Sequence, residues 1–325
     1  MGAAADVFTS LRHASSKVGI FLIVAITLIM NRHTPPVDAS LVVTPFVDAP
    51  LVARENPIWR SIRDEALQSA DADKDMAPLI DELVLRRSNL VDALVGVLAY
   101  RLADSLWSRN ALENVMAACV AQDEAIFAHL DADINAVLDR DPACSRYIEP
   151  LLFFKGFHAL QAHRIAHHLF ENGRRDLAYF LQSRMSSVFQ MDIHPHTQIG
   201  GGIFFDHGTG IVVGQTAVIE DDVSIMQNVT LGGTGKETGD RHPKVRKGVL
   251  VGAGAKVLGN IELGHCSRVA ASSVVLDPVP SGATVAGIPA KIVAMADPDS
   301  GDCMPSLKMD HHMPHERLVD EGSGI

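Results

Sequence analysis

The stretch of this chain best suited to chemistry is "LGGTGKETGDRHPKV", residues 231–245, which holds four glycines, two lysines, an arginine and a histidine. Glycine, lysine and threonine together raise the question of a phosphate-binding loop. The residues answer it in the negative. Gly235-Lys236 is followed by Glu237 where serine or threonine is needed, and Thr230 stands where the first glycine belongs. Histidine offers a second chemistry. "HRIAHH" sets His163 and His167 four apart on a helical pattern, a metal-capable spacing, yet Arg164 occupies the place of the glutamate that a zinc protease uses. "HHMPH", residues 311–315, could chelate a metal loosely. Neither cluster is expected to be a functional site, and no metal is expected. The four cysteines, Cys119, Cys144, Cys266 and Cys303, are scattered without a C-x-x-C pair and read as reduced thiols of a cytosolic protein.

The elements that must carry these residues change character at Ile193. Every sixth residue from there is Ile193, Ile199, Phe205, Ile211, Ala217, Val223 and Val229. Beyond the polar stretch the beat resumes as Val245, Val251, Val257, Leu263, Val269 and Val275, and twelve of these thirteen positions are large and apolar. Neither a helix nor an ordinary strand repeats at six. A hexapeptide coil does: three hexads make one triangular turn of a parallel β-helix, and the apolar residue of each fills its interior. A single coil cannot bury its inner face, so neighbouring coils must stack. From Val229 to Val245 is 16 residues, one hexad with ten left over. The polar stretch is therefore expected as a loop, residues 232–244, extruded from the solenoid, where binding chemistry commonly sits.

Upstream, from Glu55 to about Met191, the pattern is helical. Leu90, Leu94, Val97, Leu98 and Leu102 line one helix face. Asp141-Pro142 stops a helix, because the residue before proline is pushed out of the α region. "PLLFFKGFHALQAHRIAHHLFENGRR" begins another helical stretch, closing at Asn172-Gly173. The expected fold class is α + β, with a helical bundle over 55–191, a β-helix over 192–292 and a flexible tail over 293–325. Residues 1–54 stand apart. "VGIFLIVAITLIM", Val18 to Met30, follows Arg12 and Lys17 and imitates a signal peptide, but no small-residue cleavage pattern follows it. Its 13 residues also fall short of the roughly 20 that a membrane span needs. It is read as part of a poorly ordered extension, with Met30 a possible alternative start. Pro35, Pro36, Pro45, Pro50 and Pro57 then make a linker that cannot hold a long helix. With 325 residues, 47% hydrophobic and 21% charged, the composition is that of a soluble globular protein. A net charge of −11 argues against a nucleic-acid surface.

"DIHPHTQIGGGIFFDHGTGIVVGQTAVIEDDVSI", "VTLGGTGK", "GDRHPK" and "AGIPAK" together resemble serine O-acetyltransferase, the hexapeptide-repeat enzyme that makes O-acetylserine for cysteine synthesis. The resemblance runs from about Asn56 to Lys291 and includes the helical "RDPA" and "LLFFKGFHALQAHRI". Hexads alone would indicate only the acyltransferase superfamily. The resemblance implies a left-handed parallel β-helix, acetyl-CoA as co-substrate, L-serine as acceptor and a homo-trimer, paired into a dimer of trimers.

It also implies roles for particular residues. A hydroxyl near neutral pH is a weak nucleophile and needs a base. The family's base falls on His207 in "FFDHGTG", whose ordinary pKa of about 6.5 leaves it largely neutral at pH 7. The orienting carboxylate falls on Asp192 in "QMDIHP". Positions 192 and 207 differ by 15, three short of a coil of about 18 residues, which puts them on adjacent rungs roughly 4.8 Å apart. Arg241 and His242 would contact the substrate serine, the planar arginine fork matching its carboxylate. Asp206 and Asp141 would contact its amino group. Because Asp141 comes from the helical domain, the site would join both domains and lie between neighbouring subunits. Coenzyme A would follow a groove between coils near Gly233, Thr234, Ala253 and Ala271. The serine hydroxyl would attack the thioester directly, with no acyl-enzyme. A donor to the developing oxyanion is required, and the sequence does not name it.

Regulation is implied too. The chain ends "EGSGI", and family members dock such a terminal isoleucine, here Ile325, into O-acetylserine sulfhydrylase. Ser323 stands where an acidic residue is usual. L-Cysteine, which differs from serine only in sulfur for oxygen, would inhibit by feedback. Two readings compete. A γ-type carbonic anhydrase could recruit His194, His196 and His207 to zinc, but leaves the loop, "AGIPAK" and the terminal isoleucine unexplained. A scaffold without catalysis would only tether the sulfhydrylase, and intact His207 and Asp192 speak against it. The expected location is the cytoplasm, without a membrane or nucleic-acid partner.

Overall fold

The computed structural model describes residues 56–235, 238–298, 304–309 and 311. The chain divides into two units, Met1–Arg54 and Glu55–Ile325. The first, with the apolar run at 18–30, lies outside the described residues. Every helix and coil named below belongs to the second.

Helices come first. Helix α1 (Pro57–Ala72) starts at Asn56, whose side-chain oxygen accepts from the amides of Ile58 and Trp59 at 2.9 and 3.1 Å. Helix α2 (Ala77–Ile80) runs into a π-helical turn at Asp81–Leu85. Asn89 and Ser108 cap α3 (Leu90–Leu102) and α4 (Arg109–Gln122) in the same way. The five apolar residues expected on one face of α3 are all buried. Helix α5 (Glu124–Arg140) stops immediately before Asp141-Pro142. The next helical stretch is divided into α6 (Ile148–Leu152) and α7 (Lys155–Glu171), because Phe154 between them is extended at φ −89°, ψ 106°. Helix α7 is the axis of the bundle, buried without a break from Gly156 to Ala166. It closes at Asn172, with Gly173 at φ 77°. Helix α8 (Arg175–Phe189) leads into the first coil.

Short strands then build three sheets. Sheet A holds β1 (Asp192–Ile193), β4 (Val212–Val213), β7 (Thr230–Gly232), β10 (Lys256–Leu258) and β13 (Val274–Val275). Sheet B holds β2 (Gln198–Ile199), β5 (Val218–Ile219), β8 (Lys244–Val245) and β11 (Glu262–Leu263). Sheet C holds β3 (Phe204–Phe205), β6 (Ser224–Ile225), β9 (Leu250–Val251), β12 (Arg268–Val269) and β14 (Ala283–Gly287), with β15 (Ala290–Met295) returning antiparallel on β14. From β1 to β13, successive parallel strands visit A, B and C in turn, which is a triangular β-helix. Of the thirteen hexad positions, twelve are buried and Ile199 is half-buried. Each large side chain so buried contributes roughly 1.5–3 kcal/mol.

The frame of six differs from the sequence reading at two places. Ile193 pairs with Val213 and Val213 with Leu231, so the first coil takes 20 residues and the second 18. The two extra residues lie in the corner between β3 and β4, which contains Asp206 and His207. Ile219 pairs with Val245, a step of 26, so the extruded loop adds eight residues to a coil rather than ten. The slip was invisible because each hexad has a second inward position. Ile211, Ala217, Val223 and Val229 fill the corners while Val213, Ile219, Ile225 and Leu231 fill the strands, and all eight are buried.

Helices and coils are fastened by two arginines. Arg164 of α7 pairs with the buried Asp133 of α5 at 2.7 Å and donates to the carbonyls of Ile199 and Gly200. Asp133 also accepts from the Ile203 amide at 3.0 Å. Arg140, at the end of α5, donates to Ser224 at 3.1 Å. Gly156 permits the contact between α7 and β3, since a Cβ there would sit 2.1 Å from the Phe205 carbonyl oxygen. Part of the segment expected as a tail is built in: β15 reaches Met295, and a helical turn α9 (Pro305–Lys308) buries Pro305 and Ser306. The Ser306 carbonyl accepts from the Ser224 hydroxyl at 2.9 Å.

Candidate active site

The candidate residues fall on the two edges that flank sheet A. On the first, Asp206 and His207 form the corner from β3 into β4, and Asp192 opens β1, its Cα paired with that of Val212. The Gly210 amide donates to the Gln190 carbonyl at 2.8 Å and ties this corner to the start of the coil. His207 sits at φ 58°, but Asp222, Asn228 and Ser272 adopt 58–59° at other corners, so this is the turn geometry of the solenoid. The His207 side chain is 74% exposed, with Nε2 3.8 Å from Asp206 Oδ1. The Asp192 carboxylate accepts from Gln182 of α8 at 2.7 Å.

Asp141 approaches this edge from the helical side, its carboxylate accepting from the Ala143 amide at 2.9 Å. Burial first, and then the charge of Asp141, raise the Asp206 carboxyl above the ordinary carboxylate range, while His207 and His311 oppose the rise. Two carboxyls and an imidazole therefore feel one another, an arrangement suited to an ammonium group. His311 belongs to this neighbourhood, and its position in "HHMPH" carried no such signal.

The extruded loop leaves the second edge, between sheets A and B, and Thr216 is its hub. The Thr216 hydroxyl oxygen accepts from the amides of Arg241 and His242 at 3.0 and 3.2 Å and lies 2.9 Å from His242 Nδ1. The Thr216 amide donates to the same nitrogen at 3.2 Å. The Arg241 guanidinium donates to the Gly239 carbonyl and to Gln215 Oε1 at 3.0 and 3.1 Å. Lys244 donates to the Thr216 and His242 carbonyls and to Asp240. His242 is 7% exposed. Burial foremost, then Arg241 and Lys244, lower its pKa below the usual histidine value, with Asp240 opposing. A Cβ on Gly214 would lie 2.0 Å from the ring. Sequence reasoning passed over Thr216 and Gly214, which look like any other residues of a hexad.

Within one chain, then, Asp141, Asp206, His207 and Asp192 gather at one edge, and Arg241 with His242 at the other. Gly233 and Thr234 begin the loop on the second edge, whereas Ala253 and Ala271 follow β9 and β12 at the corners stacked beneath the His207 edge. The Ser272 amide, donating to the Ala253 carbonyl at 2.8 Å, links those two corners.

A family model, serine acetyltransferase N-terminal, matches residues 58–162. The serine acetyltransferase of Salmonella typhimurium is 52% identical over 269 residues, covering 82% of this chain and 97% of its own. The chain belongs to the serine acetyltransferase family. Among solved structures, the serine acetyltransferase of Brucella abortus in complex with coenzyme A is 50% identical at a TM-score of 0.74, covering 75% of this chain and 97% of that one. A serine acetyltransferase in complex with cysteine is 47% identical at a TM-score of 0.76, covering 79% and 98%. Helical domain, hexapeptide β-helix and loop are thus a serine acetyltransferase fold.

In this serine acetyltransferase chain His163 and His167 of α7 are held by backbone carbonyls. His163 is 1% exposed, donates through Nε2 to the Thr197 carbonyl at 3.2 Å and is pushed down to about 3 by burial. His167 donates through Nδ1 to the Pro195 carbonyl at 2.8 Å. Both line a cavity of about 510 Å³ among α5, α7, β2 and β5, which contains none of the candidate residues. His194 packs edge-on against Phe170 and Tyr179, and His196 Nδ1 meets Glu171 at 2.9 Å. Among the described residues, no three His, Cys, Asp or Glu side chains are grouped to hold a metal ion. Cys119 and Cys144 are buried thiols whose pKa burial raises, Cys144 to about 11. Cys303 and residues 312–315 lie outside the described residues.

Proposed function

We propose that this chain transfers the acetyl group of acetyl-CoA to the hydroxyl of L-serine, forming O-acetyl-L-serine and releasing coenzyme A, the first step of cysteine synthesis from serine. The observation that carries the reading is the gathering of Asp141, Asp206 and the exposed His207 at one corner, in a chain that is 52% identical to a named serine acetyltransferase. Asp206 and Asp141 receive the serine ammonium, which supplies the charge their neighbouring carboxyls lack. Arg241 receives the carboxylate. His207 removes the hydroxyl proton as the oxygen attacks the thioester carbon, and Asp192 orients and supports the imidazolium that results. The tetrahedral intermediate then expels the coenzyme A thiolate, and the proton on His207 protonates it.

Because Arg241 and His207 lie on opposite edges of sheet A, one chain does not assemble this site. A second copy that sets its loop edge against the His207 edge of the first completes it, which supports a trimer closed by three such contacts, with pairing of trimers through the helical domains as the further step. Coenzyme A then runs along the groove between copies, past Ala253 and Ala271 of one and Gly233 and Thr234 of the next. The relative solved with coenzyme A supports this ligand, and the one solved with cysteine supports feedback inhibition by L-cysteine at the serine subsite. The tail ending in Ile325 docks in O-acetylserine sulfhydrylase. Deleting Ile325 should abolish co-elution with the sulfhydrylase and leave acetyl transfer unchanged. The cytoplasm is the proposed location; no described helix is long and apolar enough to cross a membrane.

The deciding experiment mixes the protein with acetyl-CoA and L-serine and follows thiol release, with homoserine and no acceptor as controls. Serine-dependent release is expected. A folded trimer that released no thiol would overturn the activity and leave a scaffold for the sulfhydrylase.

A further inference from the structure

We propose that Thr216 is a positioning residue which holds His242 as the Nε2–H tautomer, so that this ring enters the acetyl-transfer site only as a neutral hydrogen-bond donor. The inference rests on the acetyl-transfer reading for its consequence, but its geometry stands without it. A backbone amide can only donate, so the Thr216 amide at 3.2 Å makes His242 Nδ1 an acceptor. A neutral imidazole that accepts at Nδ1 carries its proton on Nε2. The Thr216 hydroxyl lies against the same nitrogen. Its oxygen already accepts from the amides of Arg241 and His242, so its one hydrogen faces two acceptors, Nδ1 at 2.9 Å and the Asp240 carboxylate, and the amide alone fixes Nδ1 as an acceptor. Protonating Nδ1 would break the amide bond and set donor against donor.

The surroundings agree. Arg241 and Lys244 face the ring from its own loop, with Asp240 the opposing charge, and His194 faces it from the first coil. The ring cannot swing away on the other side, since a Cβ on Gly214 would lie 2.0 Å from Cδ2 and 2.1 Å from Nε2. Nε2 has no hydrogen-bond partner among the described residues, and its proton is left for a ligand acceptor. That acceptor is an anionic oxygen: the serine carboxylate or the oxyanion of the tetrahedral intermediate. The two histidines then divide the work. His207, exposed and lightly held, takes a proton; His242, clamped at Nδ1, gives only a hydrogen bond.

The test is a nitrogen-15 spectrum of the full chain labelled at histidine, with the His242 signal assigned by its loss in His242→Gln. The expected signal is a neutral ring with an accepting Nδ1 and a protonated Nε2, unchanged through the neutral pH range. Thr216→Val removes the hydroxyl donor and should let His242 titrate in that range. Turnover with serine should fall about threefold to tenfold, the worth of one net hydrogen bond. Thr216→Ser should restore both. A rise in KM for serine places the donor on the carboxylate, and a fall in kcat places it on the oxyanion. An Nδ1–H ring or an imidazolium in the unmodified protein overturns the proposal, as does a Thr216→Val spectrum identical to wild type. The spectrum needs no turnover, so the expected signal in a protein that releases no thiol would sink the activity reading alone.

Discussion

The histidines of α7 and those on the edges of sheet A are the same side chain held in opposite ways. His158 and His163 are fully enclosed, with one ring nitrogen of each on a backbone carbonyl, and burial pushes them down to about 4 and about 3. They are neutral polar fillers of the bundle. His207 stands 74% exposed beside one carboxylate, open to a ligand. His242 is intermediate, buried but left with a nitrogen to offer. The lesson is that enclosure decides whether an imidazole supports a fold or a reaction, and residue spacing does not report enclosure.

Substitution should separate the two groups most sharply at their extremes. His207→Ala is expected to lower kcat by about 10² to 10⁴ with an unchanged melting temperature. His158→Ala should do the reverse, costing about 2–4 kcal/mol in denaturant unfolding through the cavity and the orphaned Leu151 carbonyl. If His158→Ala kept its stability and lost its turnover instead, the division would be wrong. Asp192→Asn comes next. It keeps the fold, because an amide can still accept from Gln182, and should slow kcat by about 10-fold or more through poorer support of the His207 imidazolium. Near-wild-type turnover would remove Asp192 from the mechanism.

Gly214→Ala sharpens the comparison at the intermediate case. The new methyl must displace the His242 ring, so KM for serine should rise about 10-fold while the solenoid still folds. An unaltered KM would show that the ring position is unimportant. A further test is one of pH. His158 and His163 ordinarily titrate at 6.5 but at about 4 and about 3 when folded, so between those values the unfolded chain binds protons that the native chain does not. Stability is therefore full above about pH 6.5 and should fall as pH drops toward 4. His163→Gln should flatten that decline, and calorimetry across the range checks it.

Much of this was legible in the residues. The six-residue beat specifies a stacked coil whatever its neighbours do, because inward apolar residues that recur at six fill a triangular interior. Asp141-Pro142 announces a helix stop by local sterics alone, and α5 ends at Arg140. The two-residue slip at Asp206–Ile211 was not legible, because corner and strand positions are both apolar and a count in either frame looks regular. Nor was the junction: Arg164 and Asp133 are 31 residues apart, and nothing near either position says that it pairs in the interior.

The sequence by itself determined the local and the periodic: helices, coil, loop and the family that its motifs resemble. These depend on interactions within a few residues or on a repeat that needs only copies of itself. Tertiary structure decided which edge of the coil each candidate side chain occupies, which histidines are sealed inside α7, and which nitrogen of His242 is left to act. Those outcomes depend on what lies across a helix–coil contact or a loop's return path, and distance in space is not written in distance along a chain.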